Sequence, residues 1–257
     1  MKNKIFNDDC IKVLKNIEDD VIDLTVTSPP YDNLRSYKGF IFDFDNIANQ
    51  LYRVTKPGGV VVWVVADATI QRTETGTSFQ QALYFKEIGF NLHDTMIFKK
   101  KNPIPQIYRK RYTNEFEYMF VFSKGEVKTH NPIKVPTIHG GLELKNTTYK
   151  NYSKGKQKRT KLANPVKKEK IKGNIWEYVV GKMKADQLSK DHPAPFPIEL
   201  AKDHINSWSN KGDLILDPMC GSGTTCVAAA ELQRNYIGID ISKEYCELSK
   251  SRLKKYS

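Results

Sequence analysis

Residues 213–232, DLILDPMCGSGTTCVAAAEL, decide how the rest of the chain is read. Asp213 to Asp217 is a short apolar run between two acids and predicts a buried strand. Thr224 to Leu232 is rich in alanine and predicts a helix. Between them lies a turn, Pro218-Met219-Cys220-Gly221-Ser222-Gly223. Strand, glycine turn and helix in that order are the context a nucleotide-binding turn requires.

Three ligand chemistries compete for the turn. A P-loop needs Lys after its last glycine to reach phosphates, and Thr224 and Thr225 stand there instead. A dinucleotide fingerprint wants Gly or Ala where Cys226 stands. Asp217 also sits badly beside a pyrophosphate, whereas it suits a cationic ligand. S-adenosylmethionine carries an ammonium and a sulfonium, so Asp217, with close backbone approach at Gly221 and Gly223, fits it. A second strand, NYIGID, ends in Asp240, 23 residues after Asp217. A carboxylate there can accept hydrogen bonds from both ribose hydroxyls. Capping of the next helix is the alternative role, for which Ser242 is better placed.

Outward from this unit, strands and helices alternate. Before it, PIELAKDHINSW (197–208) is helical, and after it KEYCELSKSRL (243–253) is a last helix. Near the start, Val21 to Val26 reads as a strand. Phe44, Ile47, Leu51 and Val54 recur at helical spacing. Lys56-Pro57-Gly58-Gly59 predicts a turn, and Val60 to Val65 a strand buried on both faces. Residues 78–90 predict another helix; DTMIF (94–98) and EYMFVF (117–122) predict two more strands. The pattern predicts an α/β fold, a doubly wound, mainly parallel Rossmann-like sheet. From 123 to 172 periodicity disappears, which divides the chain into 1–122, an insert at 123–172, and 173–257.

Charge singles out the same insert. The 257 residues carry a formal net charge of +12. Lys124 to Lys172 holds 14 Lys/Arg against Glu126, Glu143 and Glu169, or +11 of that total. Two basic triplets, Lys99–Lys101 and Arg109–Arg111, lie shortly before it. Tyr108, Tyr112, Tyr149 and Tyr152 interleave with the charges, and aromatics can stack on bases. Segregated positive charge predicts a polyanion partner; a solvated lysine-rich loop is the alternative. The expected contacts are Arg109, Arg111, Tyr112, Lys154, Lys156, Lys158 and Arg159. No apolar run is long enough to cross a membrane, and the start lacks a secretion signal, so a soluble, cytoplasmic protein is expected. The four cysteines have no metal-ligand spacing, so no metal is expected.

One further stretch carries chemistry. Thr27-Ser28-Pro29-Pro30-Tyr31 follows the strand at 21–26, and its prolines stop the strand ladder. The result is a stiff loop at a strand's C-terminal end, where ligands bind in open α/β sheets. On these residues alone an ordinary proline turn is an equal reading.

With these motifs in order, the chain resembles the amino-methylating DNA methyltransferases of the permuted β group, in which an S/D/N-P-P-Y motif precedes the cofactor motif. The resemblance rests on TSPPY, HPAPFPIEL (192–200), DPMCGSGTT (217–225) and YIGIDIS (236–242). NDDC (7–10) is similar to a GDC element that contacts adenine, with Asp9 and Cys10 matching and Asn7-Asp8 replacing its glycine. The resemblance implies a cofactor set of Asp9, Cys10, His192, Pro193, Phe196, Pro197, Asp217, Pro218, Cys220, Gly221, Ser222, Gly223, Thr224 and Asp240. It implies a catalytic set of Ser28, Pro29, Pro30 and Tyr31, with the basic insert as the target-recognition region. It also implies double-stranded DNA as substrate, with a cognate restriction endonuclease and a homodimeric state as partner expectations.

The catalytic set suits an exocyclic amine, whose lone pair is delocalised into the base. Ser28 Oγ and the Pro29 carbonyl can accept the amine hydrogens and free that lone pair, held in place by the proline rings. Tyr31 offers a stacking face for a base flipped out of the duplex. Methyl transfer is then an in-line displacement at the sulfonium. Covalent attack at cytosine C5 would want a Pro-Cys pair, and none occurs. In this family Ser at the first motif position goes with cytosine N4, and Asp or Asn with adenine N6. N4-cytosine is therefore favoured over N6-adenine. RNA or protein amine methylation, and DNA binding without catalysis, are the rival classes.

Overall fold

The computed structural model describes residues 1–30, 42–105, 110–141, 148–153, 156–161, 166–181 and 197–256, with 148–153 and 156–161 as backbone alone. By its contacts the chain divides into two units, Met1–Asn131 with Asn174–Ser257, and Pro132–Gly173.

The larger unit is built on an eight-stranded sheet. Its strands are β1 (Lys4–Asn7), β2 (Ile22–Thr27), β3 (Thr55–Val65), β6 (Asn91–Lys100), β7 (Phe116–Ser123), β12 (Ile175–Tyr178), β13 (Leu214–Asp217) and β14 (Asn235–Asp240). Their order across the sheet is β1-β14-β13-β2-β3-β7-β6-β12. Every neighbouring pair is parallel except those of β7, which runs against both β3 and β6. The sheet is therefore largely parallel, and the strands other than β7 bring their C-terminal ends to one edge.

Helices cover both faces. α1 (Cys10–Lys15), α2 (Phe44–Val54) and α3 (Thr77–Glu87) pack in series on one side; α4 (Ile198–Trp208), α5 (Thr224–Glu231) and α6 (Lys243–Leu253) do so on the other. Strand alternation explains how one sheet serves both layers. Val61, Trp63, Val65, Phe120, Phe122, Leu216, Ile237 and Ile239 join Leu14, Leu51 and Phe85 in the core under α1–α3. Val60, Val62 and Val64 point the other way and are equally buried, as a strand covered on both faces must be.

The turn expected at Lys56–Gly59 is instead a bulge inside β3. Ile22 pairs with Thr55 and Leu24 with Val60, so four residues of β3 are absorbed against one of β2. Sheet bonding overrides the turn-forming sequence there: Gly58 N–H donates to Lys124 O at 2.6 Å, and Lys124 N–H returns to Gly59 O at 3.1 Å. Gly58 takes φ +84°, and a Cβ would fall 2.5 Å from Lys128 Cγ, so only glycine fits.

A short hairpin follows β3: β4 (Thr69–Ile70) and β5 (Thr73–Glu74). The smaller unit holds β8 (Lys134–Pro136) paired with β11 (Glu169–Ile171), and β9 (Thr148–Ser153) paired with β10 (Lys156–Lys161), both antiparallel. Residues 132–173 carry twelve Lys/Arg against two acids, Glu143 and Glu169. No helix among the described residues is long and apolar enough to cross a membrane.

Candidate active site

Strand order locates the site before any side chain does. From β2 the chain continues to β3 on one side, whereas from β13 it continues to β14 on the other. The gap between the C-terminal ends of β2 and β13 is thus a topological switch point, the crevice where open α/β sheets take ligands. Ser28-Pro29-Pro30 leaves β2 on one side of this crevice. The glycine turn leaves β13 on the other.

The two are tied together. Thr27 Oγ1 donates to Asp217 Oδ1 at 2.8 Å, and Thr225 Oγ1 donates to Val26 O at 3.2 Å. Met219 N–H donates to the same Asp217 oxygen at 3.2 Å. Asp217 is only 5% exposed, and burial pushes its carboxyl up to about 6 despite the Thr27 hydrogen bond. It therefore lies beneath the turn as a buried joint between two strands. Pro29 is buried, and Ser28 and Pro30 are half-buried at the crevice edge.

The glycine turn is held from every side. Cys220 N–H donates to Ile239 O at 2.8 Å and Gly223 N–H to Cys220 O at 2.7 Å. Gly221, at φ +50°, gives its N–H to Asp240 Oδ2 at 2.8 Å. Gly223 takes φ +76° as the residue before α5. A Cβ there would lie 2.7 Å from Ser249 Oγ, so this glycine is demanded by close packing on α6. Ser222 and Thr224 are both buried.

Sequence reading missed the α6 side of this arrangement. Ser249 Oγ donates to Gly221 O at 2.7 Å. The buried Arg252 guanidinium donates to Ser222 O, and reaches Ser222 Oγ and Thr224 Oγ1 at 3.2 Å. Ser249 lies on the buried face of α6 with Cys246 and Leu253. A small polar residue in that apolar stripe is the one local signal that could have pointed to it.

Asp240 ends β14 beside the turn. Its Oδ1 accepts from Ser242 N–H and its Oδ2 from Gly221 N–H, each at 2.8 Å. Burial raises its pKa against these two bonds. Ser242 is the N-cap of α6, so Asp240 braces the turn while its partly exposed carboxylate keeps lone pairs for further donors. At the next strand end, Asp9 caps α1 by accepting from Lys12 N–H at 3.1 Å. Asn7, at the end of β1, bonds Asp240 O and Ile241 O at 3.2 and 2.9 Å. Burial and Asp9 push the neighbouring Cys10 thiol up to about 12, so it stays protonated. Cys220 is likewise held well above its ordinary value by Cys226 and burial.

The donor set fits a nucleoside cofactor: a carboxylate able to accept from a diol, next to a turn whose backbone conformation only glycine adopts freely. Asp9, Cys10, Asp217, Pro218, Cys220, Gly221, Ser222, Gly223, Thr224 and Asp240 gather at the ends of β1, β14 and β13. Pro197 is the N-cap of α4, its carbonyl accepting from Leu200 and Ala201 N–H at 3.1 and 3.3 Å. Tyr31, His192, Pro193, Phe196, Arg109 and Lys154 lie outside the described residues. Lys156, Lys158 and Arg159 are on β10. Tyr112 is 99% exposed. Arg111 is committed to Glu74 Oε1 at 3.0 Å and Arg72 O at 2.6 Å. Lys99 and Lys100 pair with Glu177 and Glu117, each at 3.0 Å.

Comparison with known proteins agrees with this geometry. A family model described as DNA methylase, for N6 and N4 methyltransferases, matches residues 22–251. Orphan methyltransferase M.BamHII of Bacillus amyloliquefaciens is 51% identical over 249 residues, covering 94% of this chain and 92% of that protein. PvuII DNA methyltransferase, described as cytosine-N4-specific, shares the fold with a TM-score of 0.72 at 20% identity, over 96% of this chain and 85% of its own. TTHA0409 of Thermus thermophilus, a putative DNA modification methylase solved with S-adenosyl-L-methionine, has a TM-score of 0.64 at 24% identity, over 98% and 95%. By the family match and the 51% identity to M.BamHII over nearly the full length of both chains, the chain belongs to the amino-methylating DNA methyltransferases.

Proposed function

We propose that this protein methylates the exocyclic N4 amine of a cytosine flipped out of duplex DNA, using S-adenosylmethionine. The observation that carries the reading is the pairing of two motifs across one switch point. The Ser28–Pro30 loop and the glycine turn leave adjacent strands, locked together by Thr27 and Asp217. The cofactor supplies an activated methyl group on a sulfonium. Asp240 takes the ribose hydroxyls, the turn at Gly221 borders the nucleoside, and Asp9 and Cys10 border the adenine. His192, Pro193, Phe196 and Pro197 complete the binding set.

Ser28 Oγ and the Pro29 carbonyl accept the two amine hydrogens and localise the nitrogen lone pair. Buried Pro29 and the anchored Thr27 fix these acceptors before the base arrives, so no reorganisation is needed at the moment of reaction. Tyr31 stacks on the flipped base. Serine at position 28 is what favours N4-cytosine over N6-adenine. In this reading the protein is a permuted, β-group enzyme, with a catalytic part at 1–122 and a cofactor part at 173–257. The parallel pairing of β1 with β14, which joins the chain's first strand to its last, supports that arrangement. The basic insert at 123–172 recognises the target. The cytoplasm, a cognate restriction endonuclease and a homodimer belong to the same proposal.

Incubation of duplex DNA with methyl-labelled cofactor, followed by nucleoside analysis, tests it. N4-methylcytosine is expected. N6-methyladenine as the sole product would overturn the base assignment, and 5-methylcytosine would overturn the mechanism.

A further inference from the structure

The hairpin of β4 and β5 has no part in the cofactor site, yet it is built with care at the same edge of the sheet. β3 runs parallel to β2, about 4.8 Å away, with Trp63 level with Thr27, so the hairpin that follows β3 leaves the same edge of the sheet as the Ser28 loop, from the adjacent strand. Its base is clamped. Asp67 accepts from Ser78 N–H at 2.8 Å and Ser78 Oγ at 2.7 Å, and Thr75 N–H donates to Ala68 O at 3.0 Å. Its far arm is gripped by Arg111, through Glu74 and the Arg72 carbonyl.

Ile70 pairs with Thr73, leaving Gln71 and Arg72 as the two-residue loop. Their φ values are +48° and +70°, the left-handed pair of a type I′ turn, where Asn-Gly is the easy solution. Side chains that resist this conformation are held there and exposed, as are all residues from Thr69 to Glu74. Folding does not require them, since Asn-Gly would close the turn with less strain. Strain kept at an exposed tip beside an active site points to function. Gln and Arg are also the side chains that read adenine and guanine edges by paired hydrogen bonds. Two rungs carry the tip roughly 7 Å beyond its base. One helical turn of a duplex spans about 34 Å, long against the single strand spacing between β2 and β3.

We propose that Gln71 and Arg72 form a DNA-contacting tip that engages the duplex beside the flipped base, with Arg111 as the residue that positions it. The inference rests on the reading of Ser28–Pro30 as the place where that base is held. The testing variant is Gln71→Gly with Arg72→Gly, which eases the turn while removing both side chains. Binding of a short fluorescent duplex carrying the methylated site should weaken by about ten-fold or more. Thermal stability should stay equal or rise, and S-adenosylmethionine affinity should be unchanged. Duplex affinity within two-fold of wild type would overturn the proposal, as would a parallel loss of cofactor affinity. Ser28→Ala, measured alongside, separates the two readings: if it keeps full turnover while the tip variant loses DNA affinity, the base-site reading fails and the tip stands.

Discussion

Thr27 Oγ1 and Asp217 Oδ1 are 2.8 Å apart, although 190 residues separate them in the chain. The bond closes the crevice between β2 and β13 from below. It makes the residue before Ser28 and the residue before the glycine turn parts of one joint. Removing the hydroxyl in Thr27→Val leaves a buried carboxylate short of a donor. A loss of about 1–3 kcal/mol in unfolding free energy is expected, together with lower turnover, measured by urea denaturation and steady-state kinetics.

The same carboxylate gives a pH signature. Burial raises its folded pKa to about 6, so the folded state favours the protonated form more than the unfolded chain does. The stability this group contributes is full below the ordinary carboxylate range, about pH 4. It is lost as pH rises through about 6, by roughly 2–3 kcal/mol. Asp217→Asn should abolish most of that decline in unfolding free energies measured between pH 4 and 7. A smaller slope of the same sign should persist from Asp240, whose pKa is also raised by burial. An unchanged slope would mean that Asp217 is solvated.

Much of this fold was legible in the sequence, for a physical reason. Val60–Val65 and Leu214–Asp217 are buried on both faces, so every position had to be apolar or specially bonded, and the runs stand out. Lys56–Gly59 misled because its turn chemistry is real, but backbone bonds to Lys124 draw it into the sheet. The strands at 134–136 and 169–171 are only three residues long, and those at 148–153 (TYKNYS) and 156–161 (KQKRTK) are polar at nearly every position, so no apolar alternation shows. The β4–β5 hairpin was invisible because Gln71–Arg72 lacks the usual turn pair. In the site, Asp217, the glycines and Asp240 were readable from local spacing. Ser249 and Arg252 were not, because their partners are brought to them only by the packing of α6.

Those two residues make the turn's geometry testable. Ser249→Ala leaves the Gly221 carbonyl without its hydroxyl donor, and Arg252→Met strips donors from Ser222 and Thr224. Each should lower unfolding free energy by about 1–3 kcal/mol. Each should also weaken cofactor affinity in calorimetry. Gly223→Ala should be worse than Ser249→Ala, because it meets both the left-handed backbone and the 2.7 Å approach to Ser249 Oγ.

Cofactor affinity should depend on Asp240 more steeply than on any neighbour that only braces the turn. Asp240→Ala is expected to cost about 1.5–3 kcal/mol of binding, the worth of hydrogen bonds to a charged group. Calorimetric affinity equal to wild type would remove Asp240 from the ribose site.

The basic insert predicts a salt effect. Replacing Lys154, Lys156, Lys158 and Arg159 with alanine should flatten the dependence of log DNA affinity on log salt by about 0.9 for each phosphate left without its cation. Cofactor affinity should not move. A wild-type slope would place these charges in solvent.

The most direct measurement of the central claim is single-turnover methyl transfer to duplex DNA by Ser28→Ala. The lost acceptor acts mainly in the transition state, while the Pro29 carbonyl remains. The rate should therefore fall by about ten- to a thousand-fold, with DNA and cofactor affinities close to wild type. Full-rate transfer by the alanine enzyme would contradict the account.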